Sequence, residues 1–492
     1  MEAAKQAVMI GLAGLDPDLV YQWKNELVNL NRLMGKGIHG RIRSTVPPNI
    51  AQAWSCVLCG KNPGHFGYWD FHYRDSYSYG HPKRVSSRVR DERVDSLYKI
   101  LSTHGKRVAI INVPVSYPPP EIPNGYSVSS FMTPSLEEEF TYPASLKEDI
   151  KKMTEEYILD VSTGDLKFSE VDVQGTIERI CKMDKQRFDL TKYFLKDKNC
   201  DLVLSVVMGV DRMTRLLSQL TSKSQDEHVD DQKYMDALRN HYEFCDERIG
   251  EVLDFIDENT SMIVMSDHSL RRLEGTIYLN EWLIQEGYMI LKTRPDQLTP
   301  LMETDIDWQT TKAWAVGSGG QIYLNVKGRE PQGIVDFHDY DKVLDELSEK
   351  TMDMTDQEGK QLDIKAYRRK EIHSGEYARF GPDLFIFSKD GRWSMSELIG
   401  SDSVCSYDIS TSSTDAGHGI FGFFVMSGHG VPRGGEMAGA SLLDIAPTVL
   451  RLMGGSVPPH MEGKVLTERG TGELEERKRK ARERLAKLGY LG

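Results

Sequence analysis

Four residues in the sequence are of the types that bind transition-metal ions in proteins. Asp267 and His268 stand next to each other, Asp211 lies upstream of them, and His418 lies far downstream. Carboxylate oxygens and imidazole nitrogens together suit Zn²⁺, Mn²⁺ or Fe²⁺. Asp-His pairs also occur at helix caps and in surface loops, so residue types alone leave an ordinary structural role open. The elements that precede these residues therefore decide whether they form one metal site.

The two aspartates each follow a short apolar run of strand length. Such runs alternate with longer amphipathic segments, which predicts an α/β fold: a mostly parallel sheet with helices on both of its faces. In such a sheet, functional groups gather beyond the carboxyl ends of the strands, where Asp211 and Asp267 stand. The predicted strands are residues 7–12, 108–113, 202–207, 261–266, 383–388 and 419–426, and the predicted helices are residues 17–34, 94–102, 230–255 and 440–453.

Two irregular stretches interrupt the alternation of strands and helices. Residues from about 114 to 200 and from about 290 to 380 are rich in Pro, Tyr and charge, and we predict that they are inserted cap segments covering one edge of the sheet. With them, residues 1–470 form one predicted domain. The tail, residues 471–492, is densely charged, which is typical of a solvated helix with ion pairs four residues apart.

The overall charge argues against a general nucleic-acid-binding protein. The 492 residues include 61 Lys and Arg against 74 Asp and Glu, which gives a net charge of −13. Nucleic-acid binders need a basic surface that neutralises phosphates, whereas this chain is acidic overall. The balance still allows a local basic pocket for a small anionic ligand.

The cysteines and the first apolar run bear on the cellular compartment. Six cysteines are too few for a disulfide framework, which favours a reducing compartment. Cys56 and Cys59 form a single C-x-x-C pair, which we interpret as two small apolar residues one turn apart on a helix. No apolar run approaches the ~18 residues of a membrane span. We therefore expect a cytoplasmic protein in which Ala7 to Leu15 includes a buried strand and is not a signal peptide.

Several sequence blocks, in order along nearly the whole chain, match one known superfamily. They include GRIRSTVPP (40–48), GKNPGHFGYWDF (60–71), VMSDHSL (264–270), GASLLDIAPTVLRLMG (439–454) and LGYLG (488–492). Through them the chain resembles the alkaline phosphatase superfamily, and within it the type I phosphodiesterase/nucleotide pyrophosphatase branch. The resemblance implies an alkaline-phosphatase-like fold and a site where two metal ions hold a phosphate ester while a Thr or Ser attacks phosphorus.

The resemblance also implies a role for each candidate ligand. Asp267 and His268 correspond to the Asp-His pair of one metal site. Asp211 corresponds to the Asp of the other site, in the family motif D-R-x-x-H, and His418 corresponds to the remote His of that second site. These four positions retain the residues that the family mechanism needs.

Three further family positions have lost those residues. The motif G-L-D-G reads G-L-A-G here, so that Ala13 replaces a carboxylate ligand. The motif D-R-x-x-H ends at Arg215, so that a guanidinium replaces an imidazole ligand. The motif P-P-x-T-x-x-A-W has Ile50 at the nucleophile position, and an isoleucine side chain has no oxygen. These losses are hard to reconcile with the unmodified family mechanism.

The charges that remain predict at most one divalent metal ion. The two family aspartates and Arg215 sum to −1, and one ion such as Zn²⁺, Mn²⁺ or Fe²⁺ would bring the sum to +1, which suits an anionic ligand. Without a metal, Arg215 could pair with Asp211 or Asp267 and fill the vacated cation position. Arg215 is therefore the candidate catalytic residue. Asn49, next to Ile50, is the candidate substrate-binding residue.

Two function hypotheses follow from this pattern. The first is a diverged enzyme that acts on a phosphorylated or otherwise anionic small molecule, favoured by the four retained ligand positions. The second is a pseudoenzyme, a binding or scaffolding subunit without hydrolytic activity, favoured by the three losses. A partner protein or a second copy of the chain could complete the site, whereas nucleic acid and membrane partners are not expected. The metal content of the purified protein would separate the two hypotheses.

The remaining histidines have no partners in sequence register, and we expect structural roles for them. His65 and His72 lie in or just after the 60–71 block, where packing at the rim of the site is the expected role. His104, His241, His373 and His460 lie in predicted helices or loops and are assigned to packing in the same way.

Overall fold

The computed structural model describes residues 3–80, 82–162, 172–222, 231–409 and 416–468. In these ranges the strands are β1 Gln6–Leu12, β2 Ile38–Arg43, β3 His72–Tyr73, β4 Lys83–Arg84, β5 Val108–Ile111, β6 Gly125–Val128, β7 Thr141–Tyr142, β8 Leu202–Val207, β9 Thr260–Met265, β10 Ser269–Arg272, β11 Gly275–Tyr278, β12 Ala313–Val316, β13 Gln321–Leu324, β14 Ile364–Arg368, β15 Leu384–Ser388, β16 Trp393–Ser396, β17 Cys405–Ser406, β18 Ala416–Gly419, β19 Phe421–Gly428, β20 Gly435–Glu436 and β21 Ala440–Ser441. The α-helices are α1 Pro17–Gln22, α2 Val28–Lys36, α3 Ile50–Cys59, α4 Ser87–Arg93, α5 Leu97–Thr103, α6 Leu146–Met153, α7 Val173–Lys196, α8 Gly209–Ser222, α9 Asp231–Leu253, α10 Leu279–Gln285, α11 Tyr340–Met352, α12 Arg369–Ile372 and α13 Ile445–Leu452.

The largest sheet has β1 at its centre. Its strands follow the order β20-β2-β19-β9-β1-β8-β5-β6-β7, with β21 pairing with β2. β1 runs parallel to both neighbours, with Ile10 opposite Ser205 of β8 and Val264 of β9. Consecutive residues of β1, β8 and β9 are buried, as expected for parallel strands that helices cover on both faces. The predicted α/β fold with a mostly parallel sheet is therefore confirmed.

Helix α3 packs very closely on the central strand. The ring of Trp54 on α3 is fully buried. A Cβ atom at Gly11 of β1 would lie only 2.1 Å from a carbon of that ring, so a larger residue does not fit there. Glycine at this position lets the helix approach the sheet, which fixes the start of α3 near the carboxyl end of β1.

The predicted helix over residues 17–34 is wrong in one respect, because the structure divides it into α1 and α2. At the start of α2, the backbone N–H groups of Asn29 and Leu30 donate to the carboxylate of Asp246, at 2.9 and 2.7 Å. Asp246 belongs to α9, so a distant helix supplies the cap of this new helix. Local periodicity could not predict a helix start that a tertiary contact determines.

A second apolar core lies in the later part of the chain. It is built on a sheet with the order β12-β13-β15-β14 and on a sheet with the order β16-β11-β17. The predicted strand 383–388 corresponds to β15, which pairs antiparallel in this core and does not join the main sheet. The stretch 290–380 supplies β12, β13, β14 and α11 to the second core, whereas the stretch 114–200 adds β6 and β7 to one edge of the main sheet. The domain over residues 1–470 with these insertions stays a prediction, and the tail 471–492 lies outside the described residues.

The six cysteines are free thiols. All six lie in the described ranges and none is in a disulfide. Cys56 and Cys59 both lie on α3, and burial raises the pKa of the Cys59 thiol to about 12. The helical interpretation of this pair is therefore correct. Among the described helices, none has both the length and the apolar composition that crossing a bilayer requires.

Candidate functional site

The carboxyl ends of three neighbouring strands carry the candidate site. Ala13 follows β1, Asp211 lies in the first turn of α8 after β8, and Asp267 with His268 follows β9. Because β1 lies between β8 and β9 in the sheet, these residues meet at one edge. His418 belongs to β18, which pairs antiparallel with β10, the strand that starts immediately after His268. The topology of the sheets thus joins residues that are distant in sequence.

The side chains of the candidate metal ligands converge as well. One ligand atom from each of Asp211, His268 and His418 lies within 4.8 Å of the others. The imidazole rings of His268 and His418 have centroids 4.2 Å apart. Asp267 adjoins this group, since its Oδ2 accepts a hydrogen bond of 2.7 Å from Nδ1 of His268. Two acidic and two imidazole side chains therefore share one largely buried region.

A guanidinium group lies within this region. Arg215, one turn after Asp211 on α8, donates from Nε to Oδ1 of Asp211 at 2.9 Å and from Nη2 to Oδ2 at 3.3 Å. Its Nη2 is also 3.0 Å from Nε2 of His418. Nδ1 of His418 is 3.1 Å from the carbonyl oxygen of Pro48 and donates to it, so Nε2 accepts from Arg215. We call Asp211, Arg215, His268 and His418 the arginine cluster.

A second arginine, Arg212, also binds the carboxylate of Asp211. Arg212 donates from Nη1 to Oδ1 of Asp211 at 2.6 Å and binds both carboxylate oxygens of Asp160 at 2.8 Å. Burial of Asp211 opposes ionisation, but the charges of Arg215 and Arg212 hold the pKa of its carboxyl well below the usual range. Burial, together with the charges of His268 and Arg215, lowers the pKa of His418 well below its ordinary value. The cluster thus contains a carboxylate and a neutral imidazole, both already bound by arginine.

These contacts do not fit a two-metal site. Asp211 and His418, the retained ligands of one family metal, are hydrogen-bonded to Arg215, which is permanently charged and cannot ligate a metal. Ala13 has no carboxylate for the other metal. Oδ1 of Asp267 and Nε2 of His268, in contrast, are buried without a hydrogen-bond partner in the part of the chain that the structure describes. Because buried polar atoms are rarely left without a partner, these are the two atoms of Asp267 and His268 that remain available to bind a metal ion.

The family nucleophile position lies at the start of α3. Ile50 is the first residue of this helix and is 6% exposed. Asn49 caps the helix, because its Oδ1 accepts from the backbone N–H of Ala51 at 2.9 Å, while its Nδ2 donates to Oδ1 of Asp70 at 3.1 Å. Asn49 and His418 also line a small cavity of about 100 Å³. The predicted substrate-binding residue is thus a helix cap that faces the edge of the arginine cluster.

Asp70 also lines a larger cavity, of about 450 Å³. Trp314, Arg74 and Glu397 contribute to its wall, and the guanidinium carbon of Arg74 lies 4.5 Å from the ring centroid of Tyr323. Burial raises the pKa values of the carboxyl groups of Asp70 and Glu397. Asp70, Arg74 and Glu397 were not predicted from the sequence to be functional residues. The signal that could have found some of them was the GKNPGHFGYWDF block, which ends beside Asp70.

Solved structures with a similar fold include an ectonucleotide pyrophosphatase/phosphodiesterase, a phosphonoacetate hydrolase and an alkaline phosphatase. Inactive murine ectonucleotide pyrophosphatase/phosphodiesterase 5 in complex with AMP is 10% identical, with a TM-score of 0.51 over 94% of this chain and 98% of that chain. Phosphonoacetate hydrolase from Sinorhizobium meliloti 1021, in complex with phosphonoacetate, is 12% identical, with a TM-score of 0.56 over 92% of this chain and 96% of that chain. Wild-type alkaline phosphatase PafA is 12% identical, with a TM-score of 0.53 over 95% and 99%. At these identities the similarity concerns the fold.

Sequence comparisons identify the family. A comparison with curated proteins finds no match. A family model described as type I phosphodiesterase / nucleotide pyrophosphatase matches residues 7–423, which include the strands and helices that build the arginine cluster. Because this match covers most of the sequence, the chain belongs to the type I phosphodiesterase/nucleotide pyrophosphatase family, within the alkaline phosphatase superfamily.

Proposed function

We propose that the chain is a diverged phosphoester-processing member of this family that holds at most one divalent metal ion and acts on a phosphorylated or otherwise anionic small molecule. The observation that carries this proposal is the position of Arg215 between Asp211 and His418. Its fixed positive charge takes the place that a second metal would need. Asp267 and His268 are the residues that would hold the single ion, which would be Zn²⁺, Mn²⁺ or Fe²⁺.

The charges around the site support anion binding when one metal is present. Two arginines, Arg212 and Arg215, contribute +2, and three aspartates, Asp160, Asp211 and Asp267, contribute −3, which leaves −1 with neutral histidines. A divalent ion beside Asp267 and His268 would change the sum to +1 and attract a phosphate ester. When bound, such an ion supplies Lewis-acid polarisation of a phosphoryl oxygen.

The protein's own residues then bind and orient the ligand. Arg215 places a guanidinium, a group suited to phosphate oxygens, beside the metal position. His418 and Asp211 fix that guanidinium through hydrogen bonds. Asn49 adjoins His418 across the small cavity, where its remaining amide hydrogen can reach a ligand. Ile50 cannot form a covalent phosphoenzyme, so we expect negligible hydrolysis of simple phosphate esters, because loss of a nucleophile costs many orders of magnitude.

The fold neighbours support the ligand class. The murine structure was solved in complex with AMP, and the bacterial hydrolase was solved with phosphonoacetate. Both ligands are small molecules that carry an anionic phosphorus group. A ligand of this kind is what the metal-loaded site of this chain would attract. We place the protein in a reducing compartment, the cytoplasm, on the strength of its six free thiols.

A pseudoenzyme is the second candidate function, and Ile50 and Arg215 together favour it. One residue removes the nucleophile and the other occupies two metal ligands. In this case the chain would be a binding or scaffolding subunit. A partner protein or a second copy of the chain would then be its functional target.

Calorimetric titration with AMP tests the proposal on the full chain. We expect AMP to bind in the presence of Mn²⁺ or Zn²⁺ and to bind at least tenfold more weakly after chelation. Asp267→Asn, which keeps the shape and removes the charge, should abolish this metal dependence. Asp353→Asn, at an exposed position after α11, is the matched control and should behave as wild type.

Three other outcomes would count against the proposal. AMP binding of equal strength with and without metal would contradict a metal at Asp267 and His268. Absence of AMP and of inorganic phosphate binding under all conditions would favour the pseudoenzyme. Robust turnover of a p-nitrophenyl diester that survives careful purification would show that the protein hydrolyses phosphodiesters although Ile50 replaces the family nucleophile.

A further inference from the structure

A second group of metal-ligating side chains lies between α7 and α9, apart from the arginine cluster. Asp184 belongs to α7, and His241 and Cys245 are one turn apart on α9. The side chains of Asp184 and His241 are 0% and 1% exposed, and Cys245 is buried too. We call these three residues the thiol cluster. None of them takes part in the proposed function, and the sequence predicted a packing role for His241.

The distances within the thiol cluster match a metal site. Nε2 of His241 is 3.1 Å from Oδ2 of Asp184, and Sγ of Cys245 is 3.8 Å from that nitrogen and 3.9 Å from that oxygen. In a tetrahedral zinc site with ordinary bond lengths, such ligand atoms are separated by roughly 3.3 to 3.6 Å. Shifts of a few tenths of an ångström would bring all three donors to bonding distance of one ion. We propose that the thiol cluster binds one structural Zn²⁺.

A carboxylate oxygen of Asp184 without a hydrogen-bond partner could supply a fourth bond to the metal ion. Oδ1 of Asp184 is buried and has no hydrogen-bond partner in the described ranges. A carboxylate that binds a metal through both oxygens would satisfy this atom. Cys245 Sγ, His241 Nε2 and the two oxygens of Asp184 then supply four donor atoms.

The other ring nitrogen of His241 fits the same arrangement. Sγ of Cys181 is 3.7 Å from Nδ1 of His241, on the side of the ring away from Asp184. Metal-binding histidines almost always donate their second N–H to a neighbouring acceptor. With Nδ1 donating to Cys181, the lone pair of Nε2 faces Asp184 and Cys245. Cys181 is therefore a supporting partner of the ring and not a ligand.

Charge and ligand type favour zinc over harder ions. A Cys245 thiolate and the Asp184 carboxylate together carry −2, which one Zn²⁺ neutralises while His241 stays neutral. A neutral total suits a fully buried place, where an uncompensated charge is costly. Thiolate and imidazole ligands select zinc over Mg²⁺ or Ca²⁺, which prefer oxygen. An ion pair of His241 with Asp184, to which the Cys245 thiol also donates, would leave Oδ1 of Asp184 without a partner among the described residues.

The site would join three helices beneath the sheet. α7 and α9 supply the ligands, and the carboxylate of Asp184 rests against Gly209, the first residue of α8. A Cβ atom at Gly209 would lie 1.7 Å from Oδ2 of Asp184. Asp211, in the arginine cluster, lies two residues farther along α8. The metal would thus fix the helix turn from which the candidate functional site is built.

Cobalt substitution tests the proposal because only one of the two clusters contains sulfur. Full-length protein loaded with Co²⁺ should show a thiolate-to-cobalt charge-transfer band in the near ultraviolet. Cys245→Ser should remove this band and one equivalent of bound Zn²⁺. Cys405→Ser, in the second core, should retain both. Asp267→Asn should also retain the band, which separates this site from the one in the proposed function.

Measurements on the wild-type protein keep the proposal testable if Cys245→Ser does not fold. X-ray absorption of the zinc-loaded protein should show one sulfur atom in the first coordination shell. A shell of nitrogen and oxygen alone, or protein that retains no zinc after dialysis with Zn²⁺, would overturn the proposal. A charge-transfer band that persists in folded Cys245→Ser would overturn it as well.

Discussion

The arginine cluster and the thiol cluster resemble each other in ligand type and differ in their source of positive charge. Each combines buried carboxylate with imidazole, and each adjoins the first turn of α8, through Asp211 in one case and Gly209 in the other. The arginine cluster contains its own cation, since Arg215 bonds to both Asp211 and His418. The thiol cluster contains a thiol and an unpaired carboxylate oxygen but no arginine or lysine.

This difference teaches that a set of ligand residues does not by itself predict a metal. Asp211 and His418 are correctly placed to ligate, yet their lone pairs already accept hydrogen bonds from Arg215. In the thiol cluster, Oδ1 of Asp184 has no partner among the described residues. The two clusters should therefore respond in opposite ways to added metal and to the loss of nearby side chains.

Removal of the internal cation should have the largest effect on stability. Arg215→Met keeps much of the side-chain volume but leaves Asp211 with Arg212 as its remaining cation partner, so we expect the free energy of unfolding to fall by about 3 kcal/mol. Divalent metal should then stabilise the variant more than the wild type, because Asp211 and His418 become available as ligands. Urea denaturation with and without Zn²⁺ measures both effects.

Arg215→His is the matched comparison for that experiment. It removes the fixed charge but restores the ligand that the family has at this position, so bound metal should rise above the wild-type value. The combination with Ala13→Asp and Ile50→Thr should raise it further. If neither variant binds more metal than the wild type, the guanidinium is not what excludes the second ion.

Crowding at the thiol cluster should have the next largest effect. Gly209→Ala places a methyl group within 1.7 Å of the Asp184 carboxylate, and we expect a loss of about 2 kcal/mol from forced displacement. Gly35→Ala is the control, because α2 has open space there, and it should stabilise the protein by about 0.5 kcal/mol. Equal stability of the two variants would contradict the close packing of Asp184 on α8.

The smallest expected effect concerns the cap of α3. Asn49→Ala removes the hydrogen bond to the backbone N–H of Ala51 and should cost about 1 kcal/mol, whereas Asn49→Ser should recover most of that stability. Both variants lose the amide N–H, so AMP affinity should fall by about fivefold in each. A serine variant that restores AMP affinity together with stability would show that Asn49 acts only as a cap.

The sequence was sufficient to predict the central strands and the meeting of Asp211, Asp267, His268 and His418. Strands such as β1, β8 and β9 are apolar in a continuous run, because helices cover both faces, and their ends place the polar residues that follow. The break between α1 and α2 was missed because its cap, Asp246, comes from a distant helix. The sheet membership of β15 was missed for a similar reason, since pairing partners are not encoded locally.

The thiol cluster marks a different limit of sequence reasoning. The spacing of His241 and Cys245, four residues apart on a helix, was a usable signal for two ligands on one face. Asp184 gave no such signal, because its approach depends on how α7 packs against α9. The pairing of Arg215 with Asp211, four residues away on α8, was one of the alternatives predicted from the sequence, whereas its contact with His418 depends on the arrangement of α8 against β18.

The placement of Arg215 one helical turn after Asp211 has a consequence for how the site depends on its surroundings. Metal ions dissociate, exchange with other proteins and become scarce, whereas a guanidinium on the same helix as its carboxylate partner stays at a fixed, high effective concentration. The positive charge of Arg215 is part of the polypeptide itself, so every molecule of the protein carries it. Nutrient supply and metal homeostasis therefore cannot remove it.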